Sequence, residues 1–333
     1  MSKRLLLIYD VPGWTWHRRT QDLQSYAPAD YEVAIISQDR FAQHAALPGY
    51  FDDLDAVLSM SWPCCRMDLL AKAKRSVVLV TCAGLLYDRV RENDWNTWVV
   101  TSSRNAPNAR NRLHRFDGVI AVNRELHDAA VAMNPAAVLL PSGVNHEFYR
   151  PGPIRTDPIR PLRVGWCANP RGQRSVKGFN EVLTPLRNLL GDTEFEWVVN
   201  DRHVCTPEGA LNREEMVGWY HGVDVFICTS INDGTPSPIF EAACTGRTIV
   251  STDVGVVHDW PEPHELGLVA PAYHSRETAN ATIQAMADTL RTLHAHRDQL
   301  VTFGHVLQQS AARRYGWDTL APKYLRYIAG DPL

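Results

Sequence analysis

A strand–helix rhythm that starts twice constrains this chain more than any other feature. In the first half, short apolar runs end in turns. RLLLIYD (4–10), YEVAIIS (31–37), DAVLSM (55–60), SVVLVTC (76–82), GVIAVN (118–123) and AVLLPSG (137–143) read as strands. Helix-period segments such as WHRRTQDLQSY and RELHDAAVAM lie between several of them. This alternation predicts a parallel sheet with helices on both faces. The rhythm breaks at PSGVNHEFYRPGPIRTDPIRP, where dense Pro and Gly without a period mark a linker near 145–161. It restarts with LRVGWCA (162–168), KGFNEVLTPLRNLL, FEWVVN, REEMVGWYH, VDVFICTS, RTIVSTD and GLVAP. Two helical segments close it, ETANATIQAMADTLRTL and WDTLAPKYLRYI. The expectation is an α/β chain of two tandem, Rossmann-like, doubly wound domains. Ligand would sit in the cleft between them, at the carboxyl ends of strands.

The 333 residues are enough for two such domains, and 21% charged with 45% hydrophobic residues is a globular composition. The longest apolar runs, LLLIY and SVVLV, are too short to span a bilayer. The apolar run after Lys3 and Arg4 ends at Asp10 with no small-residue cleavage site. A cytoplasmic protein without integral membrane contact is expected. Seven cysteines are an odd number, and the adjacent Cys64 and Cys65 do not have zinc-ligand spacing. All seven are expected to be reduced, and no structural metal is expected. The first 155 residues carry 18 Lys and Arg against 16 Asp and Glu, the rest 16 against 21. That asymmetry is too mild to signal nucleic acid by itself.

NDGTPSPIFEAACTG (232–246) is the stretch with most chemistry. It leaves the strand VDVFICTS as a turn. Ser237 followed by Pro238 reads as an N-cap and first helical residue, and Gly246 as the C-terminal glycine. Such a loop brings backbone N–H groups and a positive dipole end to the strand-end crevice. Asp233 and Glu241 stand eight positions apart and both reach that crevice. Carboxylates there accept from hydroxyl groups, such as the sugar and ribose hydroxyls of a nucleotide sugar. A Glu so placed also serves simply to offset the dipole, and Phe240 occupies the position a capping box would need.

Residues 229–255, TSINDGTPSPIFEAACTGRTIVSTDVG, resemble the donor-binding segment of retaining glycosyltransferases of the family-four type (glycosyltransferase group 1), which have the GT-B fold. The family's acid, seven residues, then Glu is matched by Asp233 and Glu241, with Asp in place of a more usual Glu. LPSGVNHEFYRP, SVKGFNEVL, YHGVDVFICTS and YGWDTLAPKYLRYI come in family order. The likeness is strong over 220–256 and weak in the first hundred residues. It implies an N-terminal acceptor domain (1–150), a donor domain (151–315) and a last helix (316–333) that returns to the first domain. By the same resemblance Glu241 binds the nucleotide ribose and Asp233 a hydroxyl of the donor sugar. Gly234, Thr235, Pro236 and Ser237 line sugar and phosphate, and Lys177 binds the diphosphate, where a lysine's charge is sound electrostatics.

Two departures accompany it. The family's Arg after the strand glycine is replaced by Trp166, so Arg171 or Arg174 would supply that charge. The first-domain His is missing from VVLVTCAG, leaving Gly13 in DVPGW as a donor contact. The implied reaction is retaining transfer from a nucleotide-diphosphate sugar, a UDP-sugar being the expected donor, without cofactor and without metal. Asp52, Asp53 and Asp55 have metal-motif spacing but read as a solvated turn. The acceptor is expected to be a hydroxyl of a glycan or glycolipid. GWTWHRRT, with Trp14, Trp16, His17 and Arg18, and TSSRNAPNARNRLHR, with Arg104 and His114, suit a polyanionic partner. A solvated basic face explains them equally well. A nucleic acid acceptor therefore stays open, as in phage enzymes that glycosylate hydroxymethylated bases. A non-catalytic nucleotide-sugar binder and an epimerase using Asp10 are the alternatives of another class.

Overall fold

The computed structural model describes residues 2–60, 66–81, 88–89, 100–101, 111–168, 177–200, 211–231, 233–273 and 276–333. The chain divides into two compact units. Unit 1 comprises Met1–Asp88, Thr101–Gly143 and Tyr315–Leu333, and unit 2 comprises Arg89–Val100 and Val144–Arg314.

Unit 1 holds six parallel strands: β1 (Lys3–Tyr9), β2 (Tyr31–Ser37), β3 (Ala56–Ser59), β4 (Ser76–Val80), β5 (Gly118–Ala121) and β6 (Ala137–Leu139). Their order is β2-β1-β3-β4-β5-β6, with every neighbouring pair parallel. Leu5, Leu7, Val57, Leu58, Val77, Val78, Val119 and Ile120 are fully buried. A sheet covered on both faces requires such runs of consecutive apolar residues. Helix α1 (Thr15–Ser25) comes after β1, and α2 (Arg124–Val131) starts where the Asn123 side chain accepts from the Leu126 N–H at 2.8 Å.

Unit 2 holds β7 (Leu162–Cys167), β8 (Phe195–Asn200), β9 (Val225–Cys228), β10 (Thr248–Thr252) and β11 (Val269–Ala270), in the parallel order β8-β7-β9-β10-β11. In this doubly wound order the direction of winding reverses between β7 and β9, and ligand crevices open at such reversals, beyond the carboxyl ends of the strands. Its helices include α3 (Thr184–Leu190), α4 (Arg213–His221), α5 (Ser237–Cys244), α6 (Arg276–Ala295) and α7 (Asp298–Tyr315). The stretch from Lys177, whose sequence reads as one helix, instead opens with a π-turn over Phe179–Leu183, in which the Leu183 N–H reaches back to the Gly178 carbonyl at 2.9 Å. Pro185 has no N–H for the i→i−4 ladder, and a five-residue turn accommodates the gap. Arg247, 1% exposed, donates to the carbonyls of Gly152, Pro153, Val223 and Thr245 at 2.8–3.0 Å and thereby fixes the Pro-rich linker to this unit.

The closing helix α8 (Trp317–Ala329) completes the core of unit 1 with Trp317, Leu320, Ala321, Tyr324, Leu325, Tyr327 and Ile328. The Tyr324 hydroxyl donates to the Leu140 carbonyl at 2.9 Å. The Tyr327 hydroxyl donates to the Ala136 carbonyl and accepts from the Val119 N–H at 3.0 Å. A Cβ at Gly118 would stand 2.6 Å from that hydroxyl, so a bare backbone is needed there. Among the described residues no helix is long and apolar enough to cross a membrane. Cys167, Cys228 and Cys244 are free thiols. Cys64, Cys65, Cys82 and Cys205 lie outside the described residues.

Candidate functional site: the strand-end crevice of unit 2

Three pieces build the crevice: the segment after β7, the carboxyl end of β9, and the loop that leaves β9. After β7 the chain reaches Lys177 and Gly178. Gly178 has φ +67, and a Cβ there would lie 2.0 Å from the Thr229 carbonyl oxygen. This glycine lets the Lys177 backbone press against the end of β9. Three hydrogen bonds hold the contact. Trp166 Nε1 donates to Thr229 Oγ1 at 2.9 Å, Thr229 Oγ1 donates to the Lys177 carbonyl at 2.7 Å, and the Tyr273 hydroxyl donates to the Thr229 carbonyl at 3.0 Å. Trp166, which replaces an expected Arg, is thus a buried anchor for Lys177.

Beyond β9 the loop carries Asp233, whose carboxylate pairs with the Lys177 ammonium. Both side chains are largely shielded, at 12% and 23% exposed. The loop is backed by the turn after β10. The Val256 N–H donates to the Gly234 carbonyl at 3.2 Å, and Gly255, at φ +55, packs so closely that a Cβ would lie 1.9 Å from the Asp233 carbonyl. Thr235 is 8% exposed and its hydroxyl has no partner among the described residues. An unmet buried hydroxyl two residues along the same loop from a shielded ion pair is a ready contact for a polar ligand.

Helix α5 begins at Ser237, one residue earlier than the sequence suggests. The first turn closes on the Pro236 carbonyl, which accepts from the Ile239 N–H at 2.9 Å. Pro236 is therefore the capping residue, and Ser237 is the first helical residue rather than the cap. Pro238 has no N–H and that of Ile239 is engaged, so the helix start offers fewer free amides than its sequence implied. Its other end agrees with the sequence. The Gly246 N–H donates to Ala243 at 2.8 Å and the Arg247 N–H to Ala242 at 2.9 Å, with Gly246 at φ +80.

Glu241 projects half-buried from α5 and accepts from the Tyr220 hydroxyl, at 2.7 Å from Oε2. Tyr220, from α4, is fully buried, and burial pushes its phenol well above the ordinary value. The Cys167 sulfur stands 3.9 Å from that hydroxyl, and burial likewise raises the Cys167 and Cys228 thiols. Asp233 and Glu241 are the acceptors here, Lys177 is the cation, and the phenol and thiols stay neutral. The set can hold a phosphate-bearing, hydroxyl-rich molecule. Tyr220, Trp166, Thr229, Tyr273, Gly178 and Gly255 received no site role from sequence. Tyr220 and Trp166 stand inside recognisable helix and strand segments, but the partners that give them their work, Glu241 on α5 and Thr229 at the end of β9, lie far along the chain. Arg171 and Arg174 lie outside the described residues, as does Arg104.

Most of the unit 1 candidates lie just after β1. Gly13 has φ +80, but its N–H donates to His17 Nδ1 at 2.9 Å, so it is already engaged. The His17 ring lies on Tyr9 with centroids 4.2 Å apart, and burial lowers its pKa. Trp14 is the residue before α1, Trp16 packs against the unit 1 core, Arg18 is half-buried and His114 is exposed. Burial raises the Asp10 carboxyl, and its Oδ1 has no partner among the described residues. Asp55 Oδ2 accepts from the Arg4 N–H and Asp53 pairs with the Arg4 guanidinium, so that acidic turn serves the fold. Among the described residues no group of three or more His, Cys, Asp or Glu could hold a metal ion.

Residues 191–288 match the family model of glycosyl transferases group 1. The chain is 26% identical over 179 residues to a D-inositol 3-phosphate glycosyltransferase of Corynebacterium urealyticum. That match takes in 54% of this chain and 38% of the relative, so the chain matches well under half of that protein's length. In fold it resembles HepE of Anabaena, solved in complex with UDP and glucose, with a TM-score of 0.66 and 13% identity over 98% of this chain and all of that one. It also resembles a variant of S. aureus TarM, solved with fondaparinux, alpha-GlcNAc-glycerol and UDP. There the TM-score is 0.60 at 12% identity, over 82% of this chain and 56% of that one.

Proposed function

We propose that this chain, a GT-B protein with the likeness of group 1 glycosyltransferases, transfers a sugar from a nucleotide-diphosphate sugar to a hydroxyl of a glycan or glycolipid. The observation that carries the reading is the shielded Lys177–Asp233 pair beyond the carboxyl end of β9, with the unpartnered Thr235 hydroxyl on the same loop and Glu241, held by Tyr220, on the helix that follows. A UDP-sugar is the favoured donor, since HepE and TarM were both solved with UDP. In this reading Glu241 accepts from the ribose and the Thr235 hydroxyl meets a phosphate or sugar oxygen. Lys177 takes up the charge that develops on the departing diphosphate, and its pairing with Asp233 holds the ammonium in place beforehand. Asp233 then accepts from a hydroxyl of the donor sugar. Retention of configuration is part of the same proposal, with leaving-group stabilisation and acceptor positioning as the source of rate and no metal needed.

The test is thermal unfolding with UDP, GDP, ADP and TDP, each with and without magnesium, on wild type and Glu241→Ala. A diphosphate at about a hundred times its Kd adds about 2.7 kcal/mol, a visible shift. One nucleotide shifting wild type without magnesium, and failing to shift Glu241→Ala, supports the reading. No shift with any nucleotide refutes it. The matching nucleotide sugar is then offered to glycan, glycolipid and hydroxymethylated DNA acceptors, with the anomeric configuration of product read by NMR. Binding with neither transfer nor donor hydrolysis would make the protein a binder only.

A further inference from the structure

Tyr220 is 0% exposed, yet its hydroxyl is bonded to a carboxylate of the crevice rather than to a core carbonyl. We infer that Tyr220 is a positioning residue that sets how Glu241 meets the ribose of the nucleotide, an inference that rests on reading Glu241 as the ribose acceptor. Three aromatic edges fix the phenol ring: Trp219 at 5.2 Å between centroids, Phe226 at 6.0 Å and Tyr149 at 6.2 Å, with interplanar angles of 69–75°. The hydroxyl therefore has its position from packing and not from the carboxylate it serves. Buried as it is, the phenol remains protonated and donates, and the 2.7 Å bond ties down Glu241 Oε2. Glu241 is half-buried, and Oε1 makes no hydrogen bond among the described residues.

A glutamate on a helix surface samples many rotamers, and freezing it on binding costs affinity. Here the freezing is done on folding. One oxygen belongs to Tyr220 and the other is presented to the ligand. The preference for a ribose hydroxyl over its absence should then depend on Tyr220 as well as on Glu241, because a drifting carboxylate no longer discriminates.

The experiment measures Kd by calorimetry for whichever of UDP, GDP and ADP binds wild type, and for its 2′-deoxy and 3′-deoxy counterparts. Wild type, Tyr220→Phe, Glu241→Gln and the double variant are compared, each first shown to be folded by circular dichroism. Wild type is expected to prefer the ribose form by about tenfold or more over at least one deoxy form, as for a hydrogen bond to a charged group. In Tyr220→Phe that ratio falls to within about threefold while the deoxy Kd itself changes little, and in the Glu241→Gln background Tyr220→Phe changes the ratio no further. A purely structural Tyr220 would weaken all the nucleotides alike. An unchanged ratio in Tyr220→Phe therefore overturns the inference. If Glu241→Gln collapses the ratio and Tyr220→Phe does not, only the positioning role falls. If Glu241→Gln also leaves the ratio intact, or none of the three nucleotides binds, the ribose reading falls and takes the inference with it. Should Tyr220→Phe not fold, Glu241→Asp keeps the aromatic cluster whole and draws the carboxylate back from the hydroxyl. The same collapse is expected there, and a retained ratio overturns the inference.

Discussion

Replacing Gly255 by Ala tests the geometry of the crevice without touching any group that would meet a ligand. Gly255 has φ +55, where an L side chain costs about 1 kcal/mol. The added Cβ would lie 1.9 Å from the Asp233 carbonyl oxygen and 2.6 Å from that of Gly234. Real Cβ atoms essentially never stand closer than 3.0 Å to such an atom, so the loop must withdraw by about 1 Å or more. A displacement of about 1 Å at a reacting centre costs roughly a hundredfold in rate. Gly246→Ala is the control. Its φ is +80, but the nearest atom to its Cβ is that of Pro151 at 3.8 Å, an ordinary contact. Both variants are expected to lower the thermal midpoint, by about 2–4 °C for each kcal/mol lost in a unit of this size. Gly255→Ala alone is expected to lower kcat/KM about a hundredfold, from initial rates of sugar transfer or donor hydrolysis. A Gly255→Ala enzyme within about threefold of Gly246→Ala would refute the claim that this turn holds the Asp233 loop in place.

Other predictions separate stability from binding. Thr235→Val removes an unpartnered buried hydroxyl, so thermal stability should hold or rise by up to about 1 kcal/mol while calorimetric affinity for the nucleoside diphosphate falls about tenfold. Tyr327→Phe strips the bonds to Ala136 and Val119 and should cost about 1–3 kcal/mol in urea unfolding, with activity per folded molecule unchanged. The hydrogen bond from Lys3, then that from Tyr31, holds the Asp331 carboxyl below its ordinary range. With the folded value the lower one, this contribution is present above about pH 4 and is lost as pH falls through the folded pKa. Asp331 is near the surface, so the increment is small. The gap in unfolding midpoint between wild type and Asp331→Asn should be present at pH 7 and shrink at pH 3.

The strands of both sheets were legible because a strand buried on two faces must be apolar at consecutive positions, as LLLI at 5–8 and FIC at 226–228 are. The helix α7 is not legible in the sequence. Its apolar contacts are spread thinly over Leu300, Leu307 and Ala311, and Gly304 has no side chain to mark the approach to the Gly246 carbonyl. The same contrast holds in the crevice. Asp233, Thr235, Glu241 and Lys177 could be named from residue type and spacing. The anchors could not, because Trp166 meets Thr229, and Tyr220 meets Glu241, only once β7, α4, β9 and α5 have assembled. At Ser237 a Ser-Pro pair reads as a cap, whereas the first carbonyl to accept is that of Pro236.

The place of α8 bears on the order in which the molecule is made. The residues of unit 2 from Val144 to Arg314 are synthesised before Trp317, Tyr324 and Ile328, which unit 1 needs to close its interior. On the ribosome the earlier sheet must therefore wait, its Leu140 carbonyl and Val119 amide without their tyrosine partners, while the later sheet finishes. The half made first is the last to have its core completed.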